Sequence, residues 1–325
     1  MAQLAKPMLR QPRVFSARPF RPTMTTLKTI VATGCSSGVG FEAMKQLLTK
    51  QPTLSPAIDV STAILGVRNT TTAVSAFSDA GVTSPAPTIF PLELSDLSSV
   101  QAFASRTLDI LGSQSLDYLL LNAANTYPTD IKSKYGDWCE QYIVNHISQH
   151  YLIHLLRPKL VSSHTRIVIV SSGAIRMVKD PSLLEPPLKG DAAASVFAPT
   201  PYPESKFTQL LGAHYWRRTL GADCTVVAVS PGLIPGTGIT RRADYTVPAN
   251  DPDAKSVPEG GASVLQALVR SDFPEDKDRI FLTSWGEWWE AEKIEKTLDR
   301  ELQDKWSPSK EEIEEMIEAA RISQI

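Results

Sequence analysis

The sequence predicts an α/β fold in which a doubly wound parallel sheet carries helices on both faces. Short runs rich in apolar or β-branched residues alternate with helical patterns along most of the chain. A glycine-rich turn also joins the first run to the first helix. Such alternation gives a parallel sheet with right-handed crossovers, whose ligands bind beyond the carboxyl ends of the strands. The seven predicted strands span residues 28–32, 63–67, 88–92, 116–121, 166–171, 225–230 and 280–283.

The first strand runs into a turn at residues 33–40 and then into a helix that extends through Lys50. Glycines allow a tight turn and close approach of the backbone to a diphosphate, and the N–H groups at a helix start favour an anion. The turn therefore predicts a pyrophosphate site, with a plain strand–helix connection as the alternative. The residues assigned to this site are Gly34, Ser36, Ser37, Gly38 and Val39.

The end of the second strand indicates which dinucleotide binds. NAD sites usually place a carboxylate here against the ribose hydroxyls, whereas this strand ends in Gly66-Val67-Arg68-Asn69. A guanidinium suits a 2′-phosphate, so Arg68 predicts NADP(H) rather than NAD(H). A plain surface arginine is the alternative. Asp59, the nearest carboxylate, precedes the strand and is expected at the opposite end of the sheet.

Tyr202 and Lys206 are four residues apart, which places them one turn apart on one face of a predicted helix. A phenol ordinarily loses its proton at about pH 10, and a neighbouring ammonium stabilises the phenolate and lowers that pKa. The pair therefore predicts an acid–base site. For this spacing alone, an amphipathic tyrosine beside a solvated lysine is the alternative.

Several motifs occur in an order and spacing that resemble the short-chain dehydrogenase/reductase family. They are TGxxxGxG at residues 33–40, Asn122-Ala123-Ala124, a mid-helix Asn145, Ser172 and Tyr202-x-x-x-Lys206. The resemblance covers about residues 27–285. Stretches 116–129 and 144–146 further resemble the branch that holds retinol dehydrogenases and light-dependent protochlorophyllide reductases. The resemblance implies a Rossmann fold with a seven-stranded sheet, and hydride transfer to or from NADP(H).

The resemblance assigns roles to four residues. Tyr202 exchanges a proton with the substrate oxygen, and Ser172 holds that oxygen by a hydrogen bond. Lys206 lowers the pKa of Tyr202 and hydrogen-bonds the nicotinamide ribose, while Asn145 positions a water that leads protons to Lys206. A strand terminus at Ser172 and a core-edge amide at Asn145 are the alternatives.

The resemblance also extends the cofactor site beyond the glycine-rich turn. Glu93-Leu94 stands where the family often has Asp-Leu facing adenine, and Asn125 stands where many members have glycine. In the loop after the sixth strand, Gly236 takes a usual threonine position and Thr237 is the substitute that would reach the nicotinamide amide or the diphosphate. The further cofactor residues are Glu93, Leu94, Asn122, Ala123, Pro231, Gly232, Ile234 and Thr237, together with Tyr202 and Lys206.

Residues 173–201 separate Ser172 from Tyr202 by more residues than the compact family members have. This insert contains several prolines, which predict a loop rather than a long helix. We expect it to lie beside the active site and to shape the substrate wall, without choosing the ligand.

Composition agrees with one large α/β domain, 27–285, that binds a small molecule. The chain has 325 residues, and its net charge of -2 does not indicate nucleic-acid binding. No apolar run approaches the ~18 residues that a membrane span needs. Cys35, Cys139 and Cys224 have no CxxC spacing, which indicates neither a disulfide framework nor a zinc site and favours a reducing compartment. A monomer and a homo-oligomer both stay open.

His146, His150 and His154 recur every four residues and therefore stack along one helix face. The pattern lacks the glutamate of a zinc-protease helix, and no carboxylate or cysteine follows in register. The sequence therefore predicts packing or interface roles for the three histidines and assigns no metal ligand.

Residues 1–26 are basic and rich in proline, and no acidic residue occurs before Glu42. A disordered extension is favoured over an organelle presequence, because the prolines would interrupt the amphipathic helix of a mitochondrial signal. The expected location is accordingly the cytoplasm, with an organelle as the alternative.

The C-terminal extension, 286–325, departs from the strand–helix alternation. A charged helix is predicted to about Asp304, and a second helix from about Ser309 to Ile322 after a start signal at Ser307-Pro308. An apolar stripe on the second helix is expected to pack against the sheet domain, with a lid or a membrane-surface contact as the alternative. The stripe consists of Ile313, Met316, Ile317 and Ala320.

Three functional classes follow from these motifs. The first is an NADP(H)-dependent oxidoreductase that interconverts a carbonyl and an alcohol on a bulky, mostly apolar molecule. The second is a reductase of a carbon–carbon double bond, including the light-driven reaction on a chlorophyll precursor. The third, a nucleotide-sensing scaffold without turnover, is disfavoured by the intact set of Asn145, Ser172, Tyr202 and Lys206.

Overall fold

The computed structural model contains one seven-stranded parallel sheet with strand order β3-β2-β1-β4-β5-β6-β7. The structure describes residues 27–50, 54, 56, 58–240, 248 and 250–323. The doubly wound α/β prediction is therefore confirmed, whereas the predicted N-terminal extension lies outside the described residues. The strands are β1 Lys28–Thr33, β2 Val60–Val67, β3 Thr88–Pro91, β4 Tyr118–Leu121, β5 Arg166–Val170, β6 Thr225–Val229 and β7 Phe281–Leu282.

Helices cover both faces of the sheet, because successive side chains of each strand point to opposite sides. The helices are α1 Gly38–Leu48, α2 Thr70–Asp79, α3 Leu97–Leu111, α4 Glu140–Tyr142, α5 Ser148–Ser162, α6 Glu185–Leu188, α7 Tyr202–Leu220, α8 Val257–Val269, α9 Ala291–Ile294, α10 Arg300–Lys305 and α11 Lys310–Ile322. In β1, Ile30 joins the apolar cluster beneath α1, α2 and α8, while Val31 joins the cluster beneath α3, α5 and α7.

The prediction of one charged helix to about Asp304 is wrong. The segment is instead divided into α9, a 3₁₀ turn at Glu295–Thr297, and α10. The hydroxyl of Thr297 donates to the carbonyl of Ile294, and the carboxylate of Asp299 accepts from the first N–H groups of α10. Such short polar side chains end or begin helices by bonding to the backbone.

The last helix forms as predicted and packs against α5. Ser309, rather than Ser307, is its N-cap, and a capping box joins Ser309 to Glu312. Ile313 and Ile317 are buried in the same apolar cluster as α5. The expected packing therefore accounts for the apolar stripe.

The three histidines of the 146–154 face hold the chain that leads into α11. Nε2 of His146 lies 2.5 Å from the carbonyl oxygen of Trp306, and Nε2 of His150 and His154 lie 3.0 and 3.1 Å from that of Pro308. They therefore act in packing, as predicted. Over the described ranges, no group of three His, Cys, Asp or Glu is placed to hold a metal ion.

None of the described helices is both long and apolar enough to cross a membrane. All three cysteines are buried and none forms a disulfide.

Candidate active site

Helix α7 presents Tyr202 and Lys206 at the carboxyl edge of the sheet. Tyr202 is the first residue of the helix, and Nζ of Lys206 lies 5.9 Å from the centre of its ring. The Lys206 side chain is almost fully buried, and its Nζ donates to the carbonyl of Val170 at the end of β5, at 2.9 Å. The predicted pair therefore meets one turn apart on one helix face.

The protonation of this pair differs from the sequence prediction. Burial raises the pKa of Tyr202 to about 12, although a hydrogen bond with Ser172 acts in the opposite direction. Burial also lowers the pKa of Lys206 to about 7. The expected lowering of the Tyr202 pKa by Lys206 is thus not seen, because loss of solvation disfavours both charged forms. At neutral pH Tyr202 is a protonated phenol.

Ser172 lies two residues after the end of β5 and faces the phenol. Its hydroxyl accepts from the N–H of Ala174 at 3.1 Å, which caps the 3₁₀ turn Gly173–Met177, and it also hydrogen-bonds Tyr202. The serine is therefore both a strand terminus and a partner of the acid–base residue, so the two readings of its position are compatible.

Asn145 lies in a π-helical turn, Ile143–Ile147, between α4 and α5. Its side-chain oxygen accepts from the N–H of Asn125 at 2.8 Å, and its Nδ2 donates to the carbonyl of Asn125 and to the hydroxyl of Ser205. The fully buried amide thus joins the segment after β4 to α7. Single π-helical turns inside helices occur frequently at functional sites. The sequence pattern gave no signal for this turn.

Close packing shapes the glycine-rich turn. A Cβ at Gly34 would lie 2.5 Å from Cα of Ala123, and one at Gly40 would lie 2.2 Å from Nδ2 of Asn122. The same Nδ2 donates to the carbonyl of Gly34 at 2.8 Å. Asn122 and Ala123 therefore brace the turn from the end of β4.

One cavity of about 210 Å³ collects most of the predicted residues. It runs from the start of α1 past the ends of β2, β3 and β4 to the start of α7. Gly232, Ile234, Asn145 and Ser172 are not in its lining. The predicted residues that line it are Gly34, Ser36, Ser37, Gly38, Val39, Arg68, Glu93, Leu94, Asn122, Ala123, Tyr202, Lys206, Pro231 and Thr237.

Gly232 and Ile234 lie beside the cavity rather than in its wall. Ile234 is buried, and its Cδ1 would lie 2.8 Å from a Cβ at Gly260 of α8. Gly232 has φ of 99° and lies against Lys255 and Ser284. Their roles in cofactor binding stay predictions.

The exposed side chain of Arg68 reaches across the end of the sheet. Its Nη1 lies 3.4 Å from the hydroxyl of Tyr127, and Glu93 and Glu140 line the same cavity. Asp59 lies at the amino end of β2, where it pairs with Lys50 at 3.0 Å. The predicted placement of Asp59 away from the cofactor edge is confirmed.

Sequence reasoning missed several residues of this cavity. Tyr127 lies in the stretch 116–129 but has no predicted role there, Glu140 belongs to no motif, and only the fold brings the two opposite Arg68. Gln209, which contacts Lys206 but does not line the cavity, was missed too, although its position three residues after Lys206 places it on the same helix face. Its side-chain oxygen accepts from Nζ of Lys206 at 3.1 Å.

Comparisons with known proteins give close and distant relatives. No protein-family model matches the chain. A short-chain dehydrogenase/reductase of Pestalotiopsis microspora is 48% identical over 294 residues, which cover 88% of this chain and 98% of that protein. Human retinol dehydrogenase 12 is 27% identical over 211 residues, covering 64% of this chain and 61% of the human one.

Solved structures share the fold at low identity. The crystal structure of an NADPH-bound carbonyl reductase from chicken fatty liver has a TM-score of 0.61 and 22% identity, and the alignment covers 81% of this chain and 98% of that one. The likeness supports the seven-stranded doubly wound architecture.

Proposed function

Because this chain belongs to the short-chain dehydrogenase/reductase family, we propose that it is an NADP(H)-dependent oxidoreductase that interconverts a carbonyl and an alcohol on a bulky, mostly apolar small molecule. The observation that carries the proposal is that Lys206 and Tyr202, which hydrogen-bonds Ser172, line one end of a cavity whose other end is a glycine-rich turn. Proton transfer and dinucleotide binding thereby share one site.

The cavity residues fit a dinucleotide. Ser37, the N-cap of α1, makes no side-chain hydrogen bond to the first turn of that helix, and residues 36–40 line the cavity. The first N–H groups of a helix without such a cap are suited to a phosphate. Arg68 would hold a 2′-phosphate. The structurally similar carbonyl reductase from chicken fatty liver was solved with NADPH, and a structurally similar short-chain dehydrogenase from Burkholderia cenocepacia was solved with NADP.

Tyr202 is a proton donor in the direction of reduction. With its pKa raised to about 12 by burial, it keeps its proton through the neutral range. When bound, the nicotinamide supplies the hydride that makes the substrate oxygen basic. Ser172 would hold that oxygen by a hydrogen bond, and the ammonium of Lys206 would stabilise the phenolate that develops as the proton leaves.

The insert 173–201, which we expect to form the substrate wall, carries exposed apolar side chains, and none of its residues lines the cavity. Met177, Leu183 and Val196 of the 173–201 insert are 37%, 59% and 47% exposed. Glu204 of α7 fastens the insert, because its carboxylate accepts from the N–H of Val196 at 2.7 Å. Placed beside the substrate, such an insert would favour a bulky apolar molecule, and the human relative described above is a retinol dehydrogenase.

The experiment that tests the proposal is NADPH oxidation in the dark over a panel of apolar ketones, aldehydes and enones. Turnover of ketones or aldehydes would support it. Turnover confined to the double bond of enones would instead support the double-bond reductase. Tight binding of NADPH with no turnover on any of these, in light or dark, would contradict the proposed chemistry.

We expect the rate of reduction to depend on the charge of Lys206. Since burial lowers the pKa of Lys206 to about 7, the ammonium is present below that pH and is lost above it. The value of kcat/KM for reduction, which reports the free enzyme, should be level below about pH 7 and fall up to tenfold per pH unit above it. Lys206→Arg, whose guanidinium stays charged, should flatten the fall even if it lowers the rate. An equal fall in both proteins would contradict the assignment.

We expect Arg68→Ala to weaken the preference for NADPH. A charge-assisted hydrogen bond to phosphate contributes about 1.5–3 kcal/mol, so kcat/KM with NADPH should fall about 10- to 100-fold while that with NADH changes little. Arg106→Ala is the matched control, because Arg106 stacks over Phe90 and does not line the cavity. Equal losses with both cofactors would indicate a structural role for Arg68.

A further inference from the structure

Gln209 lies one turn after Lys206 on α7 and contacts it directly. Its Oε1 accepts from Nζ of Lys206 at 3.1 Å, and the two side chains are 3% and 1% exposed. An ammonium has three N–H donors. The carbonyl of Val170 and the amide of Gln209 engage two of them, which leaves one for the cavity that Lys206 lines.

The other groups around Lys206 come from α7, β5 and the cavity wall. From α7 the titratable neighbour is Tyr202, and from β5 the ammonium meets the uncharged backbone of Val170. The other charged or titratable side chains that line the same cavity are Arg68, Glu93, Tyr127 and Glu140. Within the described part of the chain, no carboxylate lies within 4.0 Å of Nζ. The side-chain acceptor for the ammonium of Lys206 is thus Oε1 of Gln209.

The amide of Gln209 makes this contact at a cost to the fold. Its Nε2 is buried and has no hydrogen-bond partner among the residues that the structure describes. A buried unpaired N–H is destabilising, and an apolar residue of the same volume would avoid it. Packing alone therefore does not explain an amide at this position, whereas contact with the ammonium does.

We propose that Gln209 is a positioning residue for catalysis: it holds the ammonium of Lys206 beneath Tyr202 and stabilises its charge. This inference rests on the proposed role of Lys206. An uncharged acceptor suits the task because a carboxylate here would cancel the positive charge that Tyr202 needs when it donates its proton.

The test uses Gln209→Met, which keeps the volume and removes the oxygen, and Gln209→Glu, which keeps the shape and adds charge. The measurement is kcat/KM for NADPH-dependent reduction against pH, with the best substrate of the ketone and aldehyde panel. We expect the fall in rate above about pH 7 to move to lower pH by about one unit in Gln209→Met, because the ammonium loses an acceptor. In Gln209→Glu it should move to higher pH, since an ion pair favours the charged lysine.

Gln303→Met is the matched control. Gln303 is a buried glutamine on α10 whose Nε2 donates to the carbonyl of Thr297, away from the cavity. The control should leave the pH profile unchanged. Lower rates in both Gln209 variants with an unmoved profile would overturn the inference and leave only a packing role. A wild-type protein without turnover, or without the fall above pH 7, would instead contradict the proposed function itself.

Discussion

Tyr202→Phe should lower NADPH-dependent reduction by about 10²- to 10⁴-fold, which corresponds to about 3–5 kcal/mol in the barrier. The substitution removes the phenol hydroxyl that hydrogen-bonds Ser172 and keeps the ring. Lys206 retains its bonds to Val170 and Gln209, so the cofactor end of the site should persist. The expected result is a loss in kcat with an NADPH dissociation constant within a few-fold of wild type, measured by fluorescence titration.

Tyr215→Phe is the matched control for this loss. Tyr215 lies on the same helix, where its ring is 5.7 Å from that of His150, and it does not line the cavity. Removal of the Tyr215 hydroxyl should leave kcat nearly unchanged. If Tyr202→Phe kept more than a tenth of the wild-type rate, another group would have to donate the proton, and the assignment of Tyr202 would fail.

The sheet was predictable because its strands are buried on both faces and read as continuous apolar runs. The exact ends of the strands were less predictable. β2 begins at Val60, three residues before the predicted start, because its pairing with β1 continues through Lys28 and Thr29. β7 has two residues, since the hydroxyl of Thr283 accepts from N–H groups of the turn that follows. The first difference depends on a neighbouring strand, and the second on a local turn that the apolar pattern does not predict.

The candidate site was also only partly predictable from the sequence. Tyr202 and Lys206 were predictable from a spacing that a helix converts into proximity. Their pKa shifts were not, because burial depends on the whole fold, and it overrides the pairwise attraction expected from the spacing. The π-helical turn at Asn145 likewise depends on the segment after β4. In that segment, the backbone N–H of Asn125 donates to the side-chain amide of Asn145, and the backbone carbonyl of Asn125 accepts from it.

The histidines beneath the C-terminal segment should make the protein unstable in acid. Burial lowers the pKa of His146 to about 4 and that of His150 well below its ordinary value of 6.5. His150 has a specific reason to stay neutral: the indole N–H of Trp216 donates to its Nδ1 at 2.8 Å, so that nitrogen must be an acceptor. Its Nε2 then carries the proton that is donated to the carbonyl of Pro308.

The sign of the effect follows from where protons bind. The unfolded chain takes up a proton on His146 near pH 6.5, whereas the folded chain does so only near pH 4. The stabilisation is therefore complete above pH 6.5 and is lost as the pH falls towards 4, by about 1.4 kcal/mol per pH unit and about 3 kcal/mol in total for this residue. The other buried histidines should steepen the loss.

His146→Gln separates this titration from packing. A glutamine amide can still donate to the carbonyl of Trp306 but takes up no proton, so the free energy of unfolding in urea should lose about 1.4 kcal/mol per pH unit of its slope between pH 6.5 and 4. Amide exchange in α10 and α11 should accelerate first in the wild-type protein, because the carbonyls held by the histidines lie between those helices. Equal slopes for the two proteins would show that His146 does not control this acid sensitivity. A uniform loss of stability in His146→Gln at every pH, with the wild-type slope kept, would show that the imidazole acts through its shape alone.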